Sequence, residues 1–133
     1  MKCLSLKQPY AELLASGKKT IELRNWNTKL RGKFLIHASK NVNKEKCKSL
    51  NIDHTVLDIG AIIGKATLYD VKKYDNRTQF TRDRNRHYAD ENFFGPRTHG
   101  FMIKNAQRFR YSIRYRGQLR FFEVNQSILN HRR

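Results

Sequence analysis

The chain has 133 residues, enough for one domain with a real core. Its 28 lysines and arginines outweigh 11 aspartates and glutamates, a net charge of +17 that makes polyanions, nucleic acid first, the natural partners. An apolar share of 38%, with 8 Phe and 6 Tyr, argues against a disordered chain. No apolar run approaches the roughly 18 residues of a membrane span, and no signal-peptide pattern is evident. An intracellular, cytoplasmic protein is expected, with Cys3 and Cys47 as free buried thiols.

In chain order, Lys2 to Leu6 reads as a strand and Gln8-Pro9-Tyr10 leads into a short helix through Ser16, closed by Gly17. Lys19 to Arg24 alternates as a second strand, and a polar turn from Asn25 precedes a third, Lys33 to Ala38. Asn41 to Leu50 suits a helix with Asn43 as its N-cap. Ile59 to Tyr74 reads as a long strand, bent or bulged at its glycines. Asp75 to His99 is the least regular part and interleaves arginines with aromatics, either a loop or short helix forming a clamp that orders on a ligand or a solvated loop pinned by Phe93 and Phe94. Arg108 to Phe121 alternates strictly and is expected to turn near Gly117; Asn125 to Arg133 is a polar tail. Six or more strands with few helices predict one α+β domain over residues 1–133, a curled β-sheet or β-barrel flanked by short helices.

Two stretches carry chemistry. On the second strand Thr20, Glu22 and Arg24 share one face, about 6.5–7 Å between same-face neighbours, with Lys19 at the entrance and Trp26 just beyond. An acid between two bases beside an indole suits recognition of a base or phosphate, and proton chemistry by Lys19 and Glu22; it also suits a surface strand carrying a salt bridge. In the last third Arg108, Arg110, Arg114, Arg116 and Arg120 share one parity with no acid among them. Like charges on one face repel, so an anionic partner explains the row better than solubility does, although an edge guarding against aggregation has the same composition. The sequence also sorts its bases: positions 1–66 hold 11 Lys and 2 Arg, positions 67–133 hold 3 Lys and 12 Arg. Arginine's planar fork suits phosphates, so the second half reads as contact surface. His37, His54, His87, His99 and His131 are scattered and the two cysteines are far apart; no metal or cofactor is expected.

With these residues in view, the chain resembles the ASCH domain, a branch of the PUA-like superfamily found alone in prokaryotes and within activating signal cointegrator proteins. The resemblance rests on Leu4-Ser5-Leu6-Lys7-Gln8-Pro9-Tyr10, on Gly17, Lys19, Glu22 and Arg24 with Trp26, and on Arg31-Gly32 before Ile36-His37-Ala38-Ser39. It continues through Gly60-Ala61-Ile62-Ile63-Gly64, His99-Gly100-Phe101 and Tyr115-Arg116-Gly117 to Phe121-Phe122-Glu123-Val124. It implies a compact PUA-like β-barrel with a cleft beside the Lys19–Arg24 strand, and RNA or another nucleic acid as ligand. Some relatives are ribonucleases, and one branch resembles bacterial amidohydrolases that deacetylate N4-acetylcytidine with a lysine, a threonine and a glutamate. Lys19 matches that lysine; Glu22 stands where the threonine is expected, and Thr20 has the other parity.

The function expected is therefore an RNA-binding module. Arg82, Arg84, Arg86, Arg108, Arg110, Arg114, Arg116 and Arg120 would hold phosphates, and Tyr10 and Trp26 would stack on bases. Gln8, Lys19, Glu22, Arg24 and His99 would border the cleft. The alternative is a hydrolase acting on RNA or a modified nucleoside, with Lys19 and Glu22 as its catalytic residues; a protein-interaction module is a third reading. A monomer is expected.

Overall fold

A computed structural model describes residues 1–131; Arg132 and Arg133, the end of the expected tail, lie outside the described residues. Six strands form one mixed sheet: β1 (Lys2–Gln8), β2 (Ile21–Arg24), β3 (Gly32–Val42), β4 (Ala61–Lys73), β5 (His99–Arg114) and β6 (Phe121–Glu123). Their order across the sheet is β2-β5-β4-β3-β1-β6, with β1 and β3 parallel and the other neighbouring pairs antiparallel. The helices are short: α1 (Tyr10–Ala15), α2 (Lys44–Ser49), α3 (Arg77–Arg82) and α4 (Arg84–His87).

Alternation fills both faces of the sheet. Leu4, Leu6, Phe34, Ile36, Ala38, Phe101 and Ile103 point inward and pack on Ala11, Leu14 and Ala15 of α1. Cys3, Leu35, Ile62, Phe109, Phe122 and Val124 form a second layer on the opposite face, joined by Ile128 and Leu129 of a closing 3-10 turn. Ile21 and Leu23 pack with Tyr74 and Phe80, so α3 lies over β2. Register shifts at Ile36/His37, Ile62/Gly64, Lys65/Thr67 and Leu68/Asp70 bend β3, β4 and β5, because each bulge increases local twist.

The expected α+β curled sheet is present, with one correction. The barrel is not closed by hydrogen bonds, since β2 and β6 are unpaired edges of the order above. Side chains bridge the seam instead. Trp26, just after β2, meets Phe121 of β6 edge to face at 5.9 Å and Phe101 of β5 at 5.2 Å. Such pairs contribute about 0.5–1.5 kcal/mol each beyond the area they bury.

Two local expectations are refined as well. The irregular stretch 75–99 contains α3, α4 and a 3-10 turn at Glu91–Phe93. Asn76 caps α3 by accepting from the Gln79 amide, a signal the arginine-rich composition hid. Arg108 to Phe121 is not a hairpin about Gly117: β5 stops at Arg114 and pairs with β4, whereas β6 pairs with β1. The segment between them passes His37 of β3 and Ser5 of β1, with the Tyr115 carbonyl 2.7 Å from His37 Nε2 and Gly117 against both side chains.

Candidate nucleic-acid interface

The expected cleft strand begins with a turn that only glycine makes easily. Gly17, at φ +85°, ends α1, and the Lys19 amide turns back to the Leu13 carbonyl at 2.9 Å. That turn drives Lys19 into the protein, where its side chain is 2% exposed. Nζ donates to the Ile21 carbonyl at 2.6 Å and the His87 carbonyl at 2.6 Å, and lies 3.2 Å from Glu22 Oε1. Three acceptors match the three hydrogens of an ammonium. Burial pushes the Lys19 pKa below the ordinary lysine value; Glu22 opposes that fall, and Arg24 and Lys46 add to it.

Glu22 is paired in register with Phe101, which places its carboxylate on the inner face of the sheet. Its second oxygen accepts from Arg24 Nε at 2.8 Å, and Arg24 Nη2 reaches the Ser5 carbonyl at 2.9 Å. Glu22 and Arg24 are thus side by side, as the alternation required, and Lys19 joins them from the strand entrance, but inside the seam of the curled sheet and not along an open cleft. Tyr10 covers the cluster with its ring 5.5 Å from Lys19 Nζ, and the Lys46–Asp90 pair, at 2.8 Å, belongs to the same neighbourhood.

Other expected cleft residues have structural duties. Gln8 is fully buried: Nε2 donates to the Asp58 carbonyl at 2.8 Å, while Oε1 receives the Glu12 amide in the first turn of α1. Trp26 has two aromatic edges against it and the Arg120 guanidinium 5.0 Å from its ring, so neither residue offers an open surface of the expected kind. His99 donates from Nδ1 to the Arg97 carbonyl at 2.7 Å and borders a hollow of about 430 Å³ with Lys29, Arg31 and Lys73.

The arginine row separates into three groups. Arg108 is committed: Nε bonds Glu12 at 3.0 Å, Nη2 bonds Asp58 at 2.7 Å, and Nη1 donates to the Ile63 and Phe109 carbonyls. Arg110 and Arg120 lie against Tyr111 and Trp26. Arg114 and Arg116, both exposed, line a groove of about 1030 Å³ with Lys40, Ser5, His37, Tyr115 and Gly117. Tyr111 is 56% exposed although it has the core parity, so the row does not form one face; the register shifts along β5 rotate it apart. Arg82 and Arg84 border a hollow of about 610 Å³ with Arg77, and Arg86 Nε donates to Thr20 Oγ1 at 3.0 Å.

A family model, the ASCH domain, matches residues 4–124. The chain belongs to the ASCH domain family. Solved structures agree in fold. The ASCH protein of Zymomonas mobilis superposes with a TM-score of 0.70 at 18% identity, over 97% of this chain and 90% of that one. Two single-substitution variants of the same protein give the same score and identity, covering 91% and 93% of their chains. No curated protein matches.

Within this ASCH domain, sequence reasoning passed over two residues of the arginine groove. These are Ser5 and His37, which the sequence pattern gives no place in the groove. They are register partners on parallel β1 and β3, so both side chains stand on the outer face. Ser5 Oγ lies 2.8 Å from His37 Nδ1, and His37 Nε2 lies 2.7 Å from the Tyr115 carbonyl. The signal available was parity: both are polar at positions whose neighbours Cys3 and Leu35 are buried on that face. Among the described residues no group of three or more His, Cys, Asp or Glu side chains suits a metal, and no helix is long and apolar enough to cross a membrane.

Proposed function

We propose that this ASCH domain binds RNA, holding the phosphate chain along the groove lined by Arg114, Arg116 and Lys40. One observation carries the reading. Among the described residues the guanidinium groups of Arg114 and Arg116 have no ion-pair or hydrogen-bond partner, yet both line a concave surface with Tyr115 between them. Arg108, three steps of the alternation before Arg114, shows what the same residue type does when the fold uses it: it takes two carboxylates and two carbonyls. Charges left unpartnered in a groove are suited to a ligand's phosphates. The net charge of +17 supports the same partner at longer range.

Tyr115 and the 92% exposed Leu119 add flat and apolar surface along the groove, as single-stranded RNA requires for its bases. The Lys19–Glu22–Arg24 cluster then serves the frame, tying the seam behind the groove through Ser5. A hydrolase centred on Lys19 and Glu22 has weaker support, because their side chains are 2% and 9% exposed and the lysine's hydrogens are engaged. Fluorescence anisotropy with a labelled 12-nucleotide RNA tests the proposal. Affinity that falls steeply with salt, and that Arg114→Ala weakens, supports it; no binding at low salt rejects it.

A further inference from the structure

We propose that the hollow at the ends of β2, β4 and β5 binds a phosphate monoester, either the terminus of an RNA strand or a free mononucleotide. The RNA form of the proposal rests on the RNA assignment of the Arg114–Arg116 groove. Lys29, Arg31, Lys73 and His99 line this hollow of about 430 Å³, together with Asn27, Thr28 and Val71. Among the described residues no carboxylate lines it, and none of the four basic side chains has an ion-pair partner.

Strand register gathers these groups. Arg24 of β2 pairs with His99 of β5, and His99 pairs with Lys73 of β4, so the three share one face of the sheet at its end. Like charges side by side across strands repel, and the fold compensates only Arg24, through Glu22. Lys72, one residue before Lys73, shows the alternative, since Asp83 holds it at 2.7 Å. The loop after β2 then brings two more cations, Lys29 and Arg31, to the same hollow. A ligand's negative charge explains this accumulation better than the needs of the sheet do.

The donors left over suit a monoester in particular. Arg31 commits Nη1 to the Thr28 carbonyl at 3.1 Å and the Leu30 carbonyl at 2.9 Å, which fixes the guanidinium and leaves Nε and Nη2 unengaged among the described residues. Lys73 donates once, to the Tyr74 carbonyl at 3.2 Å, and the Arg97 carbonyl takes Nδ1 of His99, leaving Nε2. Two lysines and an arginine exceed the single charge of a diester; a monoester brings a charge of about −1.5 to −2 and three acceptor oxygens. The hollow also continues the arginine groove. Leu119 lines the groove, its neighbour Arg120 lies 5.0 Å from the Trp26 ring, and Asn27, next after Trp26, lines the hollow. A strand laid along Arg114 and Arg116 and continued across that contact ends at Lys29 and Arg31.

The test uses the full chain. Unlabelled 12-nucleotide RNAs carrying a 5′-phosphate, a 3′-phosphate or neither compete against a labelled RNA, and amide NMR follows titrations with adenosine monophosphate and with adenosine. One phosphorylated end is expected to raise affinity by about 10-fold, the gain from charge-assisted hydrogen bonds. Lys29→Ala/Lys73→Ala is expected to bring the three RNAs to one affinity, and Arg31→Gln to do the same should the double variant melt early. Arg114→Ala/Arg116→Ala is expected to weaken all three and keep their ratio. The monophosphate, and not adenosine, is expected to shift the amides of Lys29, Arg31 and His99. Those shifts with three RNAs of equal affinity assign the site to a free mononucleotide; those shifts with no RNA bound at low salt reject the RNA reading and leave the monoester site standing. A terminal-phosphate gain that survives Lys29→Ala/Lys73→Ala overturns the proposal. So does the absence of both the gain and the monophosphate shifts.

Discussion

Arg24 of the edge strand β2 reaches across the seam to Ser5 of β1, the strand beside the other edge: Arg24 Nη2 donates to the Ser5 carbonyl at 2.9 Å, while Glu22 holds the same guanidinium from behind at 2.8 Å. Ser5 thereby faces two ways. Its backbone carbonyl meets the buried ion cluster of the seam, and its hydroxyl lines the arginine groove on the outer face. The cluster and the groove share a wall that is one strand thick.

Breaking the cluster from its centre should be costly. Glu22→Ala leaves Lys19 and Arg24 charged and short of their carboxylate, and removing one partner of a buried ion pair costs about 3–5 kcal/mol. Urea unfolding followed by circular dichroism should show a loss of that order. A loss under about 1 kcal/mol would mean that the cluster contributes nothing to the seam.

Arg108 and Arg114 should separate stability from binding. Arg108→Ala removes bonds to Glu12, Asp58 and two carbonyls, and hydrogen bonds to charged groups contribute about 1.5–3 kcal/mol, so its melting temperature should fall clearly while RNA affinity falls little. Arg114→Ala should do the reverse. Thermal melts paired with RNA titrations on both variants check this, and equal effects of the two substitutions would contradict the division.

How far these roles could be read from the sequence depends on distance along the chain. Gly17, Lys19, Glu22 and Arg24 were legible because one turn and one alternation bring them together within eight residues. Their burial was not, because it comes from α1 and from the His87 carbonyl, 68 positions away from Lys19. Arg108 looked like the other arginines of its parity since Glu12 and Asp58 lie 96 and 50 residues off. The strands themselves were clear from apolar alternation, and the N-cap Asn43 was legible for the same local reason. Strand order and the bulges were not, as both are settled by packing between distant segments.

Acid should weaken the fold through two histidines. Burial lowers the pKa of His37 and of His87 from 6.5; carbonyls of Tyr115 and Phe80 oppose this, and Lys19 and Lys46 push His87 further down. The unfolded chain then binds protons more readily, so stability is full above pH 6.5 and is lost as pH falls through the lower folded values. In that window each histidine contributes a slope of up to about 1.4 kcal/mol per pH unit. Urea midpoints between pH 7.5 and 5 should decline, and His87→Gln should flatten the decline. A variant with the same slope as the parent would count against the assignment.

Arg120 and Trp26 offer a smaller test. The guanidinium sits 5.0 Å from the indole ring, and a partly exposed cation–π contact contributes about 0.5–1 kcal/mol. Arg120→Ala should therefore cost little stability yet redshift tryptophan emission as water reaches the ring, and an unchanged spectrum would show that the contact does not screen it.

The central claim is that Arg114 and Arg116 are held unpartnered for phosphate, and the salt dependence of RNA binding tests it most directly. Each phosphate neutralised on a single strand contributes about 0.7 to the slope of log affinity against log salt. The double variant Arg114→Ala/Arg116→Ala should bind more weakly with a slope smaller by about 1.4. A slope equal to that of the parent protein would place the RNA elsewhere on this surface and contradict the account.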